Sequence, residues 1–136
     1  MASGKIAFTE LKGWIDDYKK TINIHKETRS CLLSLAELRS LITYIDTQNI
    51  YRKDKIDGVR VYFTRPGVPN NQMSIAIVPT HKYSDTFEFT DENGKVVPCA
   101  GAHDYKDQDG EIYVVMPGGL NSEHTGLCPP NCGGGQ

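Results

Sequence analysis

The chain has 136 residues, of which 38% are hydrophobic and 24% charged, and its formal net charge is −2. That size and mixture allow one buried core, and exclude a chain disordered throughout or a miniprotein held only by disulfides. The densest basic stretch, Tyr51-Arg52-Lys53-Asp54-Lys55, is short and contains an acid, which argues against the clustered cations that a nucleic-acid backbone requires.

The opening Met1-Ala2-Ser3-Gly4-Lys5-Ile6 lacks the basic-then-apolar run of a signal peptide. No apolar stretch approaches the ~20 residues of a membrane span. The expectation is a cytoplasmic protein without membrane or nucleic-acid partners, its four cysteines reduced by default.

In chain order, Leu11, Trp14, Ile15, Tyr18 and Ile22 fall on one helical face. Thr9 is the expected N-cap, and Trp14 and Tyr18 are expected to pack into the core. A second helix begins at Ser34-Leu35-Ala36-Glu37, a capping box, with Leu33 and Leu38 as a hydrophobic staple. Its expected buried stripe is Leu35, Leu38, Leu41, Ile42 and Ile45, and Asn49 its expected end. After Gly58 the period becomes extended: Val59–Thr64 and Met73–Val78 read as strands around the turn-rich Pro66–Asn71. Phe87–Thr90 and Lys95–Val97 read as a hairpin around Asp91-Glu92-Asn93-Gly94, and Ile112–Met116 as the last strand. The order predicts an α+β fold: two N-terminal amphipathic helices packed on one antiparallel sheet of about four to five strands, with an irregular Cys-containing tail. Residues 1–132 form the expected domain and 133–136 a flexible Gly-rich end.

Candidate chemistry concentrates in His124-Thr125-Gly126-Leu127-Cys128-Pro129-Pro130-Asn131-Cys132. Imidazole and thiolate are zinc ligands, and a tetrahedral site needs four, so Cys99 or His103 would have to join His124, Cys128 and Cys132. Cys-x₃-Cys with two internal prolines departs from the zinc knuckle, and the prolines remove amides that bond zinc-bound sulfur. A second reading is a disulfide between Cys128 and Cys132 in an exported protein, without visible activation for catalysis. A third is that both cysteines are packing groups beside Leu127.

Asp104, Asp107, Asp109 and Glu111, with Gly110, faintly resemble a calcium loop but lack its twelfth-position glutamate and flanking helices, and read as solvated. Neither a Gly-x-Ser-x-Gly elbow nor a phosphate-binding glycine loop is present. His25 and His81 have no acid partner assignable from sequence. Arg60, Tyr62 and Arg65, on and after the first strand, are the candidate partner-contacting residues.

The strand Gly58-Val59-Arg60-Val61-Tyr62-Phe63 and the ending Cys128-Pro129-Pro130-Asn131-Cys132 resemble a loose group of small bacterial proteins typical of Bacteroidota. Those proteins carry a Gly-x-Arg-x-Tyr-Phe strand and a Cys-Pro-Pro-x-Cys end. The resemblance covers about residues 33 to 132; it implies a bacterial source and a tail that belongs to the domain, and supplies no catalytic residues.

The expected function is a non-enzymatic protein-binding or self-associating module, partnered by another protein or a second copy, with no cofactor. The alternative is a metal- or thiol-dependent protein with structural zinc or a redox pair at His124, Cys128 and Cys132.

Overall fold

In the computed structural model the described residues are 4–23, 26–65, 72–81, 86–118, 126–129 and 132. The elements are α1 (Phe8–Lys19), β1 (Ser30–Cys31), α2 (Leu35–Asn49), β2 (Ile56–Thr64), β3 (Ser74–His81), β4 (Thr86–Thr90), β5 (Val96–Ala100), β6 (His103–Asp104) and β7 (Leu127–Cys128). The fold is α+β, with helices leading into antiparallel strands. The strands do not gather into one sheet: they form β1-β7, β2-β3-β6 and β4-β5. Among the described residues, no helix is long and apolar enough to cross a membrane.

The chain forms two compact units. One comprises the described residues of Met1–Ser34, Phe63–Ile75 and Pro117–Gln136, the other those of Leu35–Tyr62 and Ala76–Met116.

In the first unit, α1 starts earlier than its expected cap. Ala7 is extended and caps without a side-chain bond, so Thr9 lies inside the helix. Glu10 in the first turn supplies the negative charge that the helix N-terminus favours. The expected burial of Trp14 and Tyr18 is not observed: α1 has no buried residue. Its less exposed side carries Lys12, Ile15, Asp16 and Lys19. Lys12 lies 2.6 Å and Lys19 3.6 Å from Asp16, and the Lys12 hydrogen bond holds that carboxyl below its ordinary value.

The core of this unit is small and partly polar: Leu127, Cys128, Thr28, Gln72 and Ser74. Such groups are buried at little cost only when hydrogen-bonded. Thr28 Oγ1 donates to the Met73 carbonyl, and Gln72 Nε2 donates to the Pro129 carbonyl at 2.7 Å. Glu27 receives Arg65 Nη2 at 3.0 Å and the Met73 amide at 3.2 Å. Arg65 first, then that amide, holds the Glu27 carboxyl below the usual carboxylate range. Because its folded value is depressed, its stabilisation is present above the unfolded carboxylate range and fades as pH falls through the folded value. Glu27→Gln is therefore expected to cost roughly 1–2 kcal/mol near neutral pH. The deficit should shrink toward zero in acid; urea titrations giving a pH-independent deficit would show that the charge is not its source.

In the second unit, α2 ends as expected and begins directly after Ser34. Its inward face differs from the expected stripe. Leu41 is buried and Tyr44, Ile45 and Gln48 are half-buried, whereas Leu35, Leu38 and Ile42 are exposed. The spacing is still helical, but polar-aromatic contacts set its rotation. Tyr44 stacks on Tyr113 with ring centroids 4.4 Å apart, and Tyr105 donates to Gln48 Oε1 at 2.6 Å. At the helix end, the Asn49 side chain and the Ile56 backbone exchange two hydrogen bonds of 2.8 Å, fixing the start of β2.

Leu41, Ile56, Ile77, Val78, Tyr105 and Val115 form the core of this unit. β3 and β6 pair in the register Thr80↔Asp104 and His81↔His103. The expected last strand, Ile112–Met116, is reduced to one bridge between Ile77 and Val115. Between those contacts residues 106–114 leave the ladder, turning at Asp107, whose carbonyl accepts the Gly110 amide at 3.0 Å. The hairpin is as expected: β4 pairs with β5 from Thr86↔Ala100 to Thr90↔Val96. Gly94 takes φ 78°, a conformation available to glycine at little steric cost. Asp91 Oδ1 accepts the Asn93 and Lys95 amides, each at 2.9 Å.

Candidate functional site

The first unit is organised by two-residue strands from opposite ends of the chain. β1 pairs with β7 through Ser30↔Cys128 and Cys31↔Leu127. The Arg29 amide donates to the Cys128 carbonyl and the Leu32 amide to the Gly126 carbonyl, both at 2.6 Å. Leu127 and Cys128 are 0% exposed, which explains how a tail so poor in apolar residues is held: its few apolar groups are the centre of the core.

Cys128 and Cys132 are joined by a disulfide, their Cα atoms 4.7 Å apart, correcting the expectation that all four cysteines are reduced. Cys31 and Cys99 are free, and burial pushes the Cys31 thiol up. Disulfide sulfurs are not thiolate ligands, so zinc binding by Cys128 and Cys132 requires the reduced pair. His124 lies outside the described residues, as does His25, the Pro66–Asn71 turn and residues 133–136. Cys99, exposed on β5, and His103, on β6, belong to the second unit. Among the described residues, the side chains close enough to share an ion are instead Asp107, Asp109 and Glu111, within 4.8 Å of one another. Asp107 also uses Oδ1 to accept the Asp109 and Glu111 amides, an ordinary turn-forming role for aspartate.

Beside β1 lies a cleft of about 530 Å³ lined by Tyr18, Cys31, Phe63, Met73 and Ile75, with Arg29 among its polar groups. Its predominantly apolar wall and size are those of a ligand or side-chain pocket. Arg29 Nη2 reaches Cys132 Sγ at 3.4 Å, and Arg29 Nε is buried with no hydrogen-bond partner.

In the second unit Arg60 and Tyr62 converge on one carboxylate. Arg60 Nη1 and the Tyr62 hydroxyl donate to the two oxygens of Asp104, and Arg60 Nη2 donates to the Ala102 carbonyl at 2.7 Å. These two candidate contact residues are thus engaged within the unit, as Arg65 is with Glu27 in the other.

His81 has an acid partner that sequence proximity could not show: its Nδ1 lies 2.7 Å from Asp54 Oδ2. Facing a carboxylate at that distance, Nδ1 is assigned as the donor. Arg52 lies 3.1 Å from the same nitrogen and sits over the Tyr105 ring, 4.3 Å from its centroid. A histidine oriented by a carboxylate is how general bases are held. The rings of His103 and Tyr105 stand edge-on to that of His81, with centroids 6.0 and 6.1 Å away.

No known family model, curated protein or solved structure matches this chain.

Proposed function

We propose that the chain is a non-enzymatic protein-binding or self-associating module whose contact surface is the apolar side of α1 continuing into the Tyr18–Phe63 cleft. The observation that carries this reading is an amphipathic helix with no buried residue. Phe8 is 59%, Trp14 56% and Phe63 76% exposed, and Tyr18 belongs to both the helix stripe and the cleft wall. Contiguous exposed apolar surface of this kind is characteristic of interaction sites, and aromatic anchors beside an apolar pocket are the common energetic centre of interfaces. Among the described residues β4 and β5 pair as strands only with each other, so their outer edges are a second contact element.

Trp14 is the single tryptophan, so its emission reports contact directly. Sedimentation velocity is expected to show mass rising with concentration, accompanied by a blue shift of Trp14. Phe8→Asp, on the same exposed side of α1, should abolish both while leaving the circular dichroism unchanged. For a protein partner instead of a second copy, panning a displayed peptide library should enrich apolar sequences that the Phe8→Asp variant does not retain. A monomer with solvent-like Trp14 emission and no such enrichment would overturn the reading.

A further inference from the structure

The Cys128–Cys132 disulfide is asymmetric. Cys128 sits in β7 and is completely buried, whereas Cys132 is exposed. The guanidinium of Arg29 approaches the exposed member, with Nη2 3.4 Å from Cys132 Sγ. Among the described residues no carboxylate pairs with Arg29. Glu27, two positions before it, is engaged with Arg65 and the Met73 amide, so that pair leaves the charge on Arg29 largely uncancelled.

Thiol–disulfide exchange needs one sulfur that a reagent can reach and a means of stabilising the thiolate that attacks or departs. A neighbouring cation provides the second by favouring the charged form of the thiol. We propose that Cys128–Cys132 is a reversible redox pair that exchanges with low-molecular-weight thiols and disulfides. Cys132 is the sulfur that meets the substrate, and Arg29 is the group that stabilises its thiolate. This inference is independent of the binding role of α1.

With the pair reduced, the Cys132 thiolate attacks one sulfur of a substrate disulfide RSSR. The substrate S–S bond breaks, RS⁻ departs and takes up a proton, and a Cys132–S–S–R mixed disulfide forms. The buried Cys128 loses its proton and attacks Cys132 Sγ, expelling the second RS⁻, which is also protonated. The substrate gains two electrons and two protons to give two RSH, and the pair closes as the disulfide. In reverse, two thiols reduce the pair and leave as RSSR, with Cys132 as the departing thiolate in the second exchange.

The test is residue-resolved alkylation of the reduced full-length protein with iodoacetamide over a pH series, read by mass spectrometry, with Cys31 and Cys99 as internal references. Cys132 is expected to titrate below the ordinary thiol value of about 8.5. Arg29→Gln should raise that midpoint and slow exchange with oxidised glutathione about threefold near neutral pH, the lost thiolate being offset in part by its higher nucleophilicity, and Arg29→Lys should recover most of the rate. Should Arg29→Gln not fold, added salt on the wild type makes the second test, because screening the guanidinium should raise the midpoint. An ordinary Cys132 midpoint, unmoved by Arg29→Gln or by salt, would overturn the proposal. So would a native disulfide that reduced glutathione does not open.

Discussion

Gly126→Ala is expected to destabilise the β1–β7 region by roughly 2–3 kcal/mol. A Cβ at this position would stand 2.6 Å from the Leu32 carbonyl oxygen, 2.6 Å from Pro117 Cβ and 2.9 Å from the Pro117 carbonyl carbon. These are main-chain and ring atoms, so no flexible side chain can swing aside. Moving Leu32 away would also stretch its amide bond to the Gly126 carbonyl. The loss should appear as a lower denaturation midpoint, and as faster hydrogen exchange at the Leu32 and Arg29 amides, which bond the Gly126 and Cys128 carbonyls. Unchanged protection at both amides would show that the segment accommodates a methyl group and is packed less tightly than described.

Asp104→Ala should cost about as much, roughly 2–3 kcal/mol, for an electrostatic reason. The Asp104 carboxylate receives both Arg60 and Tyr62. The Arg60 and Asp104 side chains are 37% and 21% exposed, so water screens the pair only in part. Removing the acid leaves a guanidinium and a phenol to find new acceptors, whereas Arg60→Met with Asp104→Leu removes both charges. The paired replacement should therefore cost less than Asp104→Ala alone. A double-mutant cycle with Arg60→Met and Asp104→Ala should give a coupling above about 1 kcal/mol; additivity would reduce the contact to surface decoration.

How much of this was legible follows from the range of each interaction. The start of α2 after Ser34 and the Asp91–Gly94 hairpin are set by residues within a few positions of one another, and both lie where local chemistry puts them. The stripe of α1 was equally legible, but periodicity reports that a helix has an apolar side and is silent on what covers it. Trp14 and Tyr18 therefore form a stripe without forming a core. In α2, Tyr44 stacking on Tyr113 turned the helix away from Leu35 and Ile42, a choice settled by a partner outside the helix. The Cys-bearing tail was recognisable as the place where candidate chemistry concentrates. The contact of Arg29 with Cys132 joins positions 103 apart, the tail's pairing with β1 spans a similar stretch of chain, and neither leaves a local motif. The same distance problem hid Asp54 from His81, and Asp104 from Arg60.

The β4-β5 hairpin carries a consequence for how far any assembly can grow. Its register opposes Glu88 and Pro98 in the middle of β5. Proline fits a strand where its nitrogen faces away from the ladder, so the outer rim of β5 lacks one donor halfway along. An incoming strand finds that rim interrupted, while the rim of β4, Thr86–Thr90, has no proline. Two copies can add rim to rim through β4 and then meet only the interrupted sides. Were strands to add through this hairpin, growth past a two-fold pair would forgo a main-chain hydrogen bond at every β5 rim.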